Sequence, residues 1–352
     1  MKKYYSLYLE LKSKILSGDY KAQEKLPSKR VMSDKSGYSL ITVQRAYAML
    51  EDEGYITAHE RSGYFVSKID LIPSNTANSL GRPLPHIKEK HALPGERDFE
   101  YSLWFKTLRK VISERGKELF IKSPVKGCAI LRNALSDYLY RYRGMVANPH
   151  NIIIGSGSEQ LYEIAVKILG RDKIYGIENP CYSQIKEVYL GAGANICPLK
   201  FGKDGIETSA LQDSSFDVLH VTPFHSYPSG VTTPISKRYE YLKWAKQNNK
   251  YIIEDDFDSE FFIPGHPIQS LYSLDTNQSV IYINTFSKSL SPSMRMGYMI
   301  LPEELMPQYT QRLGRFSCSV PVLDQYVLAE FIESGSFERH LNRVRRRMTK
   351  KG

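Results

Sequence analysis

The sequence predicts an α/β chain carrying a small α+β head. Three observations predict it. Short apolar strand-like runs, Ile152–Ile154, Val218–Val221, Tyr251–Ile253 and Val280–Ile283, each run into polar, glycine or carboxylate-rich ends and are spaced by helix-length segments. The first 68 residues read as three helices and two short strands, an order seen nowhere later in the chain. Between the two regions lies a stretch rich in Pro, Ser and Asn, with Pro73, Ser74, Asn75, Asn78, Ser79, Gly81, Pro83 and Pro85. The expected domains are therefore a head at 1–68, a linker at 69–90 and a large domain at 91–352.

Composition sets the frame. The 352 residues are 41% hydrophobic and 24% charged, ordinary for a globular chain with room for two cores. No apolar run reaches the ~18 residues of a membrane span, and the N-terminus lacks an apolar signal segment. Cys128, Cys181, Cys197 and Cys318 have no metal-ligand or paired spacing, which fits reduced thiols and a cytoplasmic location. The net charge of +10 permits a nucleic-acid partner without demanding one. Seven of the basic residues lie between Arg339 and Gly352, where there is no acid.

In the head, Leu7, Leu9, Leu11 and Ile15 form a helix-like pattern ending at Gly18. Ser28, after Pro27, can cap a second helix that Gly37 breaks. Ser39 can cap a third, from about Leu40 to Glu53, with Val43, Ala46, Tyr47 and Leu50 inward. Tyr55–Ala58 and Gly63–Val66 read as two strands around a polar turn. Helix, helix, helix and a two-stranded wing is the order of a winged helix-turn-helix. A helical protein-interaction module with solvated charges is the bland alternative. The head carries 12 Lys+Arg against 9 Asp+Glu over residues 1–70, too small an excess for charge to decide.

In the large domain, Trp104, Leu108 and Val111 mark one amphipathic helix, and Ile130, Leu131, Leu135, Tyr138 and Leu139 another. Asn151–Gln160 is a strand, a Gly-Ser-Gly turn and a helix start, which aims backbone N–H groups at an anion. Two further stretches carry chemistry. Val280–Ile283 leads into Thr285, Phe286, Ser287, Lys288 and, farther on, Arg295. An amine at a buried strand end sheds hydration and becomes nucleophilic, while hydroxyls and an arginine beside it suit a phosphate. The strand Tyr251–Ile253 ends in Glu254, Asp255, Asp256 and Asp258. Carboxylates there point into the crevice where α/β sheets bind ligands. Lysine, carboxylate and phosphate donors together are the parts of a pyridoxal-phosphate (PLP) site. A surface loop with a solvated lysine and a solvated charge run remain open readings of the same residues.

The motifs carry a resemblance. Leu26-Pro-Ser-Lys-Arg30, Thr42-Val-Gln-Arg-Ala-Tyr47, Leu50-Glu-Asp-Glu-Gly-Tyr-Ile56 and Gly63-Tyr-Phe-Val66 resemble the DNA-binding domain of GntR regulators. Glu254-Asp-Asp-Phe-Asp-Ser-Glu-Phe261 and Thr285-Phe-Ser-Lys288 with Arg295 resemble the fold-type I aminotransferase core, in the version found in the MocR/GabR subgroup of that family. The resemblance implies double-stranded DNA contacts from Ser28, Lys29, Arg30, Ser39, Thr42, Gln44, Arg45, Arg61 and Gly63. Gln44 and Arg45 suit adenine and guanine edges, and Lys29 suits phosphate. It implies Lys288 as the lysine that joins PLP and Asp255, 33 residues earlier, as partner of the pyridine nitrogen. It implies Ser156, Gly157, Ser158, Thr285 and Arg295 around the phosphate and Tyr182 stacked on the ring.

Three departures accompany it. Where the family has His-Asn or His-Gln before Pro-[Ser/Thr]-Gly, this chain has His225-Ser226-Tyr227, so the amide that meets the cofactor's phenolic oxygen is absent. Phe257 stands where the family has tyrosine. The resemblance also implies a further small α/β domain of about a hundred residues, which carries the substrate-carboxylate arginine; the chain is expected to be C-terminally truncated before it. The function expected is a PLP-dependent, homodimeric transcription regulator that senses PLP or an amine or amino-acid ligand. The alternatives are a working aminotransferase with a DNA-binding head, and a DNA-binding dimer with a vestigial cofactor site.

Overall fold

The computed structural model describes residues 3–59, 62–68, 99–212, 215–261 and 269–351. The expected linker at 69–90 and Arg61 lie outside the described residues. The chain divides into two compact units, Met1–His91 and Ala92–Gly352.

In the first unit, α1 (Lys3–Leu16), α2 (Lys29–Ser36) and α3 (Leu40–Asp52) pack over a hairpin of β1 (Ile56–His59) and β2 (Gly63–Val66). Ser28 caps α2 by accepting from the Val31 N–H, and Gly37 ends it in the left-handed region at φ 70°. Ser39 caps α3 through the Thr42 N–H. Such caps satisfy donors that a helix start leaves unpaired. Val43, Ala46, Tyr47 and Leu50 are fully buried, and the Tyr47 hydroxyl donates to the Pro27 carbonyl at 2.8 Å, tying α3 to the turn before α2. On α1 the buried stripe is Leu7, Tyr8, Leu11 and Ile15; Leu9 is exposed. Leu7, Leu9, Leu11 and Ile15 share the expected helix but not one face. Residues two apart on a helix lie about 200° around the axis, so Leu9 cannot share a face with Leu7 and Leu11. The residues before α2 add to the hairpin: the Leu26 N–H donates to the Tyr64 carbonyl and the Val66 N–H to the Glu24 carbonyl.

The second unit is built on a sheet of eight strands among the described residues. They are β3 (Ile152–Gly155), β4 (Ile174–Asn179), β5 (Asn195–Gly202), β6 (Gly205–Ile206), β7 (Val218–Val221), β8 (Tyr251–Asp255), β9 (Val280–Thr285) and β10 (Gly297–Ile300). Their order is β3-β10-β9-β8-β7-β4-β5-β6. The run β9-β8-β7-β4-β5 is parallel, and β10 is antiparallel to both β9 and β3. Because β10 reverses direction twice over, β3 points the same way as β9. The carboxyl ends of β3, β4, β7, β8 and β9 therefore open on one edge, where α/β sheets bind ligands.

Side-chain alternation assigns the faces. Ile152, Ile154, Tyr282, Tyr298 and Ile300 join a core with Trp104, Leu131, Leu135 and Phe331. The intervening Ile153, Ile253, Ile281, Ile283 and Met299 join a second core with Leu161, Tyr162, Ala165 and Val166 from the helix Ser158–Leu169. Both faces are covered, so the strands are apolar on both sides, as a buried parallel sheet requires. The helices Val322–Glu333 and Ser336–Lys351 follow the last strand, separated at Gly335. No described helix is long and apolar enough to cross a membrane.

Candidate functional site

The carboxylates at and after the end of β8 take different partners, as alternation demands. Glu254 is buried and accepts from the Leu271 and Tyr272 N–H groups at 2.8 and 2.9 Å, which caps the start of the short helix Leu271–Leu274. Asp255 points to the opposite face, towards the helix Ser158–Leu169, where its Oδ2 accepts from the Tyr162 hydroxyl. Asp256 turns back to the first face. There its Oδ2 meets Arg143 at 2.7 Å and the Tyr282 hydroxyl at 2.6 Å. Asp258 lies 2.8 Å from His225 Nδ1 and 2.5 Å from Lys288 Nζ.

Asp255 is the most telling of these. It is 5% exposed, and its Oδ1 is buried without a hydrogen-bond partner in the protein. Burial pushes its carboxyl up to about 7, against the lowering effect of the Tyr162 hydrogen bond and with a further rise from Asp256. Burial likewise keeps Tyr162 protonated well beyond the usual phenol range. An acceptor oxygen buried with nothing to accept is costly unless a ligand donor meets it.

Lys288 sits on the one-turn helix Phe286–Ser289 at the end of β9. Its ammonium lies 5.0 Å from the centre of the Phe257 ring. The burial expected of it is not found: 45% of its side chain is exposed, and the buried Asp258 holds it instead. A helix of four residues at the sheet edge cannot cover a side chain that long. Thr285 is buried at the strand end, opposite Gly297 of β10, which in turn faces Gly155 of β3. That level row sets the end of the sheet beneath the Gly-Ser-Gly turn. Gly157 adopts φ 105°, a conformation open to glycine. A Cβ there would lie 3.1 Å from an Arg295 guanidinium nitrogen, so the arginine covers the turn. Ser158 begins the helix behind it. Ser156 is turned elsewhere: its N–H and its hydroxyl both reach Gln160 Oε1, at 2.7 and 3.1 Å.

The opposite wall comes from loops after β4 and β7. Tyr182 is 44% exposed and meets Tyr227 edge-on, with centroids 5.9 Å apart. Arg238 is fully buried and pins the loop after β7 at both ends, donating to the carbonyls of Pro223 and Thr233 at 3.0 and 2.9 Å. Ser226 in that loop is fully buried and donates to Glu178 Oε2 at 2.6 Å. Burial raises Glu178 to about 8, opposed by the donors Ser226 and Thr222. Ser226 thus faces the strand, and Phe257 has no hydroxyl.

The residues present fit PLP on two grounds: the unpartnered buried Asp255 Oδ1 suits a ring N–H, and the Arg295-covered glycine turn at a helix start suits a phosphate. Sequence reasoning missed Tyr162, Arg143 and Arg238. Arg143 and Arg238 lie near no motif, and Tyr162, close behind the Gly-Ser-Gly turn, meets a partner 93 positions away.

On the head, Arg30, Ser39, Gln44 and Arg45 are exposed, with Ser28 and Thr42 at the two caps. Lys29 Nζ lies 4.9 Å from the Tyr64 ring centre, and the Arg45 guanidinium 5.9 Å from that of Tyr4. Gly63 opens β2 at φ 108°. Leu40 and Ile41, 44% and 68% exposed, begin α3 between the candidate DNA contacts. Sequence reasoning passed over both. The signal was two aliphatic residues directly after a cap, outside the core stripe.

A winged helix-turn-helix joined to an aminotransferase-like α/β domain defines a class of bacterial transcription regulator that binds DNA. The comparisons agree with that class. Residues 3–66 match the family described as bacterial regulatory proteins, gntR family. The chain is 34% identical over 356 residues to YdeL, an uncharacterised HTH-type transcriptional regulator of Bacillus subtilis, covering 99% of this chain and 77% of that one. It is 30% identical to the probable rhizopine catabolism regulatory protein MocR of Rhizobium meliloti, covering 97% and 73%. Among solved structures, LysN, the α-aminoadipate aminotransferase of Thermus thermophilus, superposes with a TM-score of 0.64 at 25% identity, covering 72% of this chain and 66% of that one. The chain belongs to the GntR family of transcription regulators, in its MocR-type branch with an aminotransferase-like domain. It spans about three quarters of those two relatives and just under two thirds of that solved structure.

Proposed function

We propose that this regulator holds PLP in its large domain and uses the site to sense PLP or an amine or amino-acid ligand. The observation that carries the reading is Asp255, buried, with one carboxylate oxygen paired to Tyr162 and the other without a protein partner. PLP, once bound, supplies an electrophilic carbonyl for amines and a ring that accepts electrons. Asp255 would hold the ring nitrogen protonated. Lys288 would be the point of covalent attachment, and the pairing with Asp258 gives its amine a resting place when free. Gly157, Ser158, Thr285 and Arg295 would hold the phosphate, with Tyr182 over the ring.

Two features favour sensing over turnover. Ser226 is turned to Glu178 and Phe257 bears no hydroxyl, so neither tunes the phenolic oxygen. The proposal extends to a homodimer, a cytoplasmic location beside its DNA, and a division into a head at 1–68, a linker at 69–90 and a PLP domain at 91–352. A ligand shifts DNA binding only through a difference in affinity between two states. The test is fluorescence anisotropy with DNA from upstream of the protein's own gene, with and without PLP. A change in apparent Kd that Lys288→Ala abolishes supports the reading. Identical curves for parent and variant at saturating PLP contradict it.

A further inference from the structure

We propose that Glu159 is a built-in competitor for phosphate at the turn covered by Arg295, and so sets how tightly the site takes phosphate-bearing ligands. The inference rests on the PLP reading above. Arg295 stands in the left-handed region at φ 42°, after the turn Pro292–Met294, with its guanidinium over Gly157. From there it donates to Glu159 Oε2 at 3.0 Å. Glu159 lies in the first turn of the twelve-residue helix Ser158–Leu169, where the helix dipole favours a carboxylate. One side chain thus occupies both attractions that a phosphate would use: the arginine and the helix start.

Within the turn, Ser156 is already engaged. Ser156 gives both its N–H and its hydroxyl to Gln160 Oε1, which also accepts from Ser319 at 2.7 Å. A phosphate entering here must draw Arg295 away from Glu159 and then lie beside the carboxylate. Both side chains are about half exposed, 53% and 44%, so the pair is weak enough to be opened by a ligand. The arrangement lowers phosphate affinity without abolishing it. A sensor that must release its ligand as concentration falls needs that property, whereas an enzyme that retains its cofactor does not.

The experiment is equilibrium binding of the full chain, parent against Glu159→Gln, followed by absorbance. The amide keeps the side chain's length and removes its charge. PLP should bind the variant about 5- to 30-fold more tightly, from loss of one exposed ion pair and one like-charge contact. Pyridoxal, which lacks the phosphate, should bind both proteins alike. The inhibition constant of inorganic phosphate against PLP should fall by a similar factor in the variant, which separates the phosphate from the ring as the source of the gain. A PLP affinity within twofold of the parent, or an equal gain for pyridoxal, overturns the role of Glu159 and leaves the PLP reading intact. Failure of both proteins to bind PLP overturns the proposed function and this inference with it.

Discussion

The hydroxyl of Tyr162, on the helix that starts at the glycine turn, donates to Asp255 Oδ2 at the end of β8. The other oxygen of that carboxylate is left buried and without a protein partner. One hydrogen bond therefore fixes the direction in which the second oxygen faces. Tyr162→Phe should cost about 1–3 kcal/mol of stability, the range for a buried acceptor that loses its donor. It should also weaken PLP binding, because Asp255 is then free to rotate. Urea unfolding and an absorbance titration read the two effects. An unchanged PLP affinity would show that Asp255 needs no such positioning.

The pH dependence of stability follows from the buried carboxyls. Asp255 is raised to about 7 and Glu178 to about 8, both chiefly by burial. A carboxyl raised in the folded state binds more protons there than in the unfolded chain, where it titrates near 4. These groups therefore make stability fall as pH rises from about 4 to about 8, after which their effect is complete. Asp255→Asn should flatten its part of that slope. Denaturant midpoints at a series of pH values, parent against variant, check the sign. A steeper fall in the variant would contradict it.

Arg143 joins Asp256 at 2.7 Å and Glu260 at 3.7 Å on the face of the sheet away from Tyr162. Only 12% of its side chain is exposed. Arg143→Met should destabilise by about 3–5 kcal/mol, since it strands two buried carboxylates. Adding Asp256→Asn should recover part of the loss. Additive losses in the double variant would show that the two side chains do not act as a pair.

Much of the head was legible because its signals are local. Ser28 and Ser39 cap where hydroxyls precede helices, and the stripe Val43, Ala46, Tyr47, Leu50 follows helical spacing. Leu9, apolar yet exposed on the same helix, shows that apolar character alone does not fix a face. In the large domain, the strands before Asp255 and Lys288 showed as β-branched runs, but β10 did not. Its residues are Gly, Tyr, Met and Ile, with one β-branched side chain and a glycine at the start, so it carries little strand signal. The partners of the site residues were hidden for another reason. Tyr162 reaches Asp255 and Ser226 reaches Glu178 only once the sheet is assembled, across 93 and 48 positions. The exposure of Lys288 was hidden in the same way, because it depends on Asp258 and not on the strand before it.

The exposed start of α3 gives a prediction for DNA. Gln44→Ala and Arg45→Ala should each cost about 1–3 kcal/mol at the preferred site and relax its sequence requirement. Lys29→Ala should weaken all sequences alike and lower the salt slope by about one. Ile41, 68% exposed, should contribute through contact with a thymine methyl. Ile41→Ala should therefore favour operators with thymine at that position less than the parent does. Anisotropy titrations against a panel of sites separate these classes. A uniform loss from Gln44→Ala would place that side chain on the backbone.

Lys288 and Asp255 are proposed to make the large domain a PLP site. The most direct test is the visible absorbance of the purified chain titrated with PLP, beside Lys288→Ala. A saturable band, displaced from that of free PLP, is expected in the parent and not in the variant. A parent spectrum that matches free PLP at every concentration would contradict the proposal.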